Sequence, residues 1–223
     1  MHVMDGGVTG DFLGFLFHLL LPHMPGTTIQ QRIGSLFKIV VTWYPENAQL
    51  VDARLDNLTV GMIYPKASTS NSPRLNGQCA EIRSLVGFAP YASSKFFVDK
   101  DNVIEQLMLE ASKQLKAMYD SLSAQAVYRN DVMRKSCKAF ALHCIEAEKL
   151  SPIWRIKPKL HMMQEMIEME EDCRPNLYWN YRNEDFGGAV VTMAKGSGPK
   201  TVHSTGRRIL ENFQGAHPVP TIK

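Results

Sequence analysis

The residues whose types and spacing could do chemistry lie in a few short stretches. In NLYWNYRNEDFGG, Asn176 to Gly188, an aromatic cluster containing Trp179 and Tyr181 stands ahead of the adjacent carboxylates Glu184 and Asp185. Adjacent carboxylates offer the hard oxygen ligands that hold Mg2+, and an aromatic shelf could fix them. The same acids opening a helix would instead favour the positive end of its dipole. His161 and Glu165, four residues apart, share one helical face, which suits either a shared metal or a hydrogen-bonded surface pair. Arg155, Lys157 and Lys159 cluster ahead of that helix. In the tail, Lys195, Lys200, Arg207, Arg208 and Lys223 face Glu211 alone. Both basic stretches could meet phosphate, and solvated charge explains each equally well.

Other chemistries lack their patterns. Cys79, Cys137, Cys144 and Cys173 form no CxxC pair, which argues against a zinc ribbon or finger and for reduced, mostly buried thiols. Cys137 and Cys144, seven residues apart, fall on one helical face and favour core packing. GSGPK, Gly196 to Lys200, lacks the Gly-Lys-Ser/Thr ending and the preceding apolar strand of a phosphate loop. Neither a nucleophile elbow nor a dinucleotide fingerprint occurs.

These groups must be positioned by a chain of 223 residues, 44% hydrophobic and 21% charged, with a net charge of +3. That profile fits one large globular domain or two small ones. The apolar run Phe12 to Leu21 has no basic segment before it and no small-residue cleavage site after it. It is also far short of the roughly 20 residues that span a bilayer, so it predicts a buried helix, capped by Thr9 or Asp11. Thr27 and Gln30 form a capping-box pattern for a second helix that Pro45 stops, and the short link predicts an antiparallel pair. NLTVGMIYP, Asn57 to Pro65, is the one strand-like run and leads into the polar loop KASTSNSP. A helix follows from Asn76 until Pro90 breaks it. Asn102 and Glu105 cap a long helix with Ile104, Met108, Ala111, Leu115, Met118 and Leu122 at spacings of three and four, and after a kink or turn near Asp120 to Ser123 the pattern resumes through Met133, Cys137, Phe140 and Cys144. Pro158 suits the first turn of a last clear helix, to about Asp172.

Three of these stretches carry a family resemblance. MHVMDGGVTGDFLGFLF at the N-terminus, KPKLHMMQEMIE from Lys157, and the arrangement of Trp179, Tyr181 and Glu184 together resemble the second half of a DDE-type transposase catalytic domain of CACTA-like or related eukaryotic DNA transposons. The family is RNase H-like, and its carboxylates converge on two divalent metal ions that drive in-line attack on a phosphodiester. The resemblance implies Asp5 and Glu184 as the second and third catalytic carboxylates and Mg2+ or Mn2+ as cofactor; Asp185, adjacent to Glu184, is a further candidate metal ligand that reads first as the first-turn acid of the last amphipathic segment. His161, Glu165, Trp179 and Tyr181 would support them. The family's first carboxylate has no counterpart, which implies a truncated or domesticated piece, inactive alone. Asp5 also reads as a carboxylate meeting nearby amides at a frayed terminus, and His161 as a purely structural residue.

The expectation is therefore a mainly α fold of roughly seven to nine helices with at most a minor strand element. It comprises an N-terminal helical pair (1–47), a central helical region resembling an insertion (48–150) and a C-terminal helical segment with a basic tail (151–223). The functional expectation is a transposase-derived, intracellular and nuclear protein that binds double-stranded DNA. A second copy or a complementing transposase chain would be a further partner, and no membrane is involved. The competing reading is a non-enzymatic helical protein-interaction or structural module.

Overall fold

The computed structural model describes residues 3–51, 53–65, 72–123 and 130–168, all of which lie in one compact unit ending at Tyr178. The architecture is mainly helical, with eight α-helices and no strand among the described residues. A π-helical turn, Met4–Thr9, runs directly into α1, Gly10–Leu20. A 3-10 turn, Leu21–His23, then leads to α2, Ile29–Glu46. The short helices α3, Val60–Ile63, and α4, Cys79–Ser84, precede α5, Phe88–Phe96. The long α6, Val103–Ser123, and α7, Asn130–Leu150, come next, followed by α8, Pro158–Glu168.

The core is built around α1. Phe12, Leu13, Phe15, Leu16, Phe17 and Leu20 are all fully buried, as a helix apolar on every side must be. Burying each such side chain contributes on the order of 2 kcal/mol. Phe12 meets Phe140 of α7 edge to face with ring centres 5.2 Å apart, Phe15 stacks on Trp154 at 4.9 Å, and Phe17 meets Phe88 of α5. Residues from the beginning, middle and end of the described chain thus share one interior. The main helix pair is α6 with α7, whose inward stripes follow the three-and-four spacing: Met108, Ala111, Leu115, Met118 and Leu122 on one, Met133, Cys137, Phe140 and Cys144 on the other. Burial pushes the Cys137 thiol up to about 12, with the Glu168 charge adding to it, and raises Cys144 further. Both are inert packing groups.

Several expected boundaries move, each for a local reason. The strand-like run at Asn57 to Pro65 contains the helical turn α3 instead: Met62 N–H donates to the Thr59 carbonyl at 3.1 Å and Tyr64 N–H to the Val60 carbonyl at 2.8 Å, while Ile63 is fully buried. β-branched residues gave the strand signal, but without a neighbouring strand the backbone bonds locally. Neither Thr9 nor Asp11 caps α1, because the chain is already helical from Met4. The box on α2 is Thr28 with Gln31, one residue later than Thr27 with Gln30. Pro45 lies inside the last turn of α2, which ends at Glu46. Pro90 sits in the first turn of α5 rather than breaking a helix, since an N–H there has no partner within the helix and its loss costs little.

Candidate carboxylate cluster and basic cleft

The π-helical turn directs Asp5 inward. Val8 N–H bonds to the Val3 carbonyl at 2.8 Å, and the Gly10 N–H reaches the Asp5 carbonyl. The Asp5 residue is fully buried, so the reading of a carboxylate at a frayed terminus does not hold. Its Oδ1 accepts a hydrogen bond from the Tyr119 hydroxyl of α6, and Thr9 Oγ1 lies 2.9 Å from the same phenol. Burial foremost, and then the Asp5 charge, raises the Tyr119 phenol well above its ordinary range. Tyr119 therefore remains a donor throughout the physiological pH range, which is what a buried carboxylate requires.

A second carboxylate, Asp11 on α1, is almost as deeply buried and joins three segments. Lys157 Nζ lies 2.6 Å from its Oδ1 and Arg74 Nε 3.7 Å from the same oxygen. Arg74 also donates through Nη2 to the Gly6 carbonyl. Beside this network lies a small cleft of about 20 Å³, its floor largely apolar and its lining including Asp11, Trp154, Arg155, Lys157, Lys159 and Leu160. Arg155 turns one guanidinium nitrogen to the carbonyls of Trp154, at 3.0 Å, and Ser151, at 3.3 Å. The basic stretch expected to face phosphate thus divides its charge: Lys157 is paired internally, while Arg155 is exposed and Lys159 partly so.

His161 and Glu165 form an exposed pair at 3.1 Å on α8, the geometry of an ordinary surface bond between residues one turn apart. Among the described residues, no group of three or more His, Cys, Asp and Glu side chains gathers in a way that could hold a metal ion. Glu184, Asp185, Trp179, Tyr181, Lys195, Lys200, Arg207 and Arg208 lie outside the described residues. Three groups that organise these sites have no sequence signal of their own: Tyr119 sits in a helix stripe as an aromatic, Arg74 follows a polar loop, and Asp11 reads as a cap. A second long-range pair, His23 to Glu105 at 2.8 Å, likewise uses a residue whose local pattern indicates only capping.

Comparison with known protein families, with curated proteins and with solved structures finds no match. No helix among the described residues is long and apolar enough to cross a membrane.

Proposed function

We propose that this chain is a transposase-derived protein that binds duplex DNA, descended from a metal-dependent strand transferase and inactive in cutting or joining on its own. The observation that carries this reading is the packing of α8 against the Met4–Thr9 turn. These elements hold two of the three segments on which the resemblance rests, and they meet although most of the described chain separates them. Glu184, the expected partner of Asp5 in holding Mg2+ or Mn2+, follows α8 in the sequence and lies outside the described residues. Asp5 is sealed beneath Tyr119, so it would need release before any ion could use it. The family's first carboxylate has no counterpart among these residues, and a complementing transposase chain is the partner that could supply it.

Two measurements test the proposal. Purified protein should neither cleave nor join DNA strands with Mg2+ or Mn2+; robust activity abolished by Glu184→Gln would show a complete site and overturn the inactive reading. DNA binding should be weak, sequence-tolerant and salt-dependent, since each neutralised phosphate adds about 0.9 to the slope of log affinity against log salt. Replacing Arg207 and Arg208 together should lower that slope by about 2. An unchanged slope would remove this pair from the interface.

A second reading is a helical protein-interaction or structural module. It is favoured by the satisfaction of Asp5, Thr9 and Tyr119 inside the core and by Leu142 and Ile145, which α7 leaves 52% and 39% exposed. Absence of DNA binding at about 50 mM salt, where phosphate contacts are strong, would select it.

A further inference from the structure

The basic cleft contains its own acid, and the geometry points to a role for it. We infer that Asp11 is an electrostatic brake on DNA binding: it holds Lys157 as an internal counter-charge, in the manner of a phosphate oxygen, and limits the number of cations the cleft offers to a phosphodiester. The inference rests on the nucleic-acid reading above and adds regulation to that site.

Three observations support it. Asp11 Oδ1 takes Lys157 Nζ at 2.6 Å with Arg74 Nε 3.7 Å away, so one oxygen stands where two cations converge, as a phosphate oxygen would. Arg74 Nε is buried with no hydrogen-bond partner among the described residues, leaving donor capacity unused beside that oxygen. Lys157 itself is 38% exposed along its side chain and lines the same cleft as Arg155 and Lys159. It can therefore turn toward a ligand without the fold opening. A lysine held by a carboxylate neutralises no phosphate until that pair is broken, so it releases no counterion from the DNA and its contribution to the salt slope is suppressed.

The test is a salt titration of a short labelled DNA duplex against wild type, Asp11→Asn, Lys157→Gln and the double variant. Asp11→Asn should bind more tightly at low salt and steepen the slope by about 0.9. Lys157→Gln alone should leave the wild-type slope nearly unchanged, and the double variant should lose the gain. Glu110→Gln, which makes the same change in net charge at an exposed pair with Lys113, controls for bulk charge and should leave the slope unchanged. Should Asp11→Asn lose its helical circular dichroism, Asp11→Ser carries the same test. Wild-type binding with no change of slope in Asp11→Asn would overturn the brake while sparing the DNA reading. A slope lowered by about 0.9 in Lys157→Gln alone would overturn it too, because Lys157 would then already contact DNA. No binding by either wild type or Asp11→Asn would overturn the DNA reading itself.

Discussion

Gly14→Val is expected to destabilise the fold by on the order of 3 kcal/mol, at the upper end for overpacking a filled core. A β-carbon at position 14 would lie 2.3 Å from the Arg74 Cα, 2.4 Å from its carbonyl carbon and 2.4 Å from the Leu75 nitrogen. All three are backbone atoms, so no side-chain rotation relieves the clash. Nor can the crossing segment shift freely: Leu75 N–H bonds to the Gly10 carbonyl at 2.8 Å, Arg74 N–H to the Ile63 carbonyl at 2.9 Å and Asn76 N–H to the Met62 carbonyl at 2.7 Å. Displacing it would break these bonds and move Arg74 away from Asp11 and the Gly6 carbonyl. Urea unfolding followed by circular dichroism measures the cost. Gly34, whose added β-carbon would meet nothing within 4 Å, supplies the control, and Gly34→Ala should be neutral or slightly stabilising in its helix. Equal stabilities for Gly14→Val and wild type would mean that the Arg74–Leu75 segment does not cross α1 there.

What was legible in the sequence was what repeats locally. The stripes of α6 and α7 run for twenty-one residues each, long enough for the three-and-four spacing to identify both the helix and its buried face. Pro158 fits the first turn of α8 because the missing N–H costs nothing there. Local rules faltered where they permit two answers. Thr27, Thr28, Gln30 and Gln31 satisfy the capping pattern in two registers, and the structure selects the later one, with Thr27 also donating to Gln31 Oε1. Val60 and Ile63 favour strand by side-chain shape, but a lone segment gains nothing from strand geometry without a partner. The candidate sites were least legible of all. Asp5 meets Tyr119 across 114 residues and Asp11 meets Lys157 across 146. Such pairings follow from the packing of the Met4–Thr9 turn against α6 and of α1 against α7 and the segment before α8, and no window of sequence contains both partners.

Tyr119→Phe should cost about 2 kcal/mol at neutral pH, because it removes a hydrogen bond from a phenol to a buried carboxylate and leaves the ring volume unchanged. Its pH dependence is the more discriminating signature. Burial, followed by the Asp5 charge, raises the folded-state pKa of Tyr119 well above 10. A group raised in the folded state contributes stability that is fully present below its unfolded pKa and is lost as pH rises toward the folded value. Below pH 10 both states keep the phenolic proton, so the cost of the substitution should be constant. Above pH 10 the unfolded chain releases that proton while the native chain retains it, and the wild type should lose about 1.4 kcal/mol per pH unit that Tyr119→Phe does not lose. Tyr44, Tyr64, Cys137 and Cys144 are also raised, but they occur in both proteins and cancel in the difference. The substitution should therefore become steadily less harmful through the alkaline range in urea titrations from pH 7 to 11. A cost that stayed constant up to pH 11 would show that the Tyr119 phenol is not sealed against Asp5.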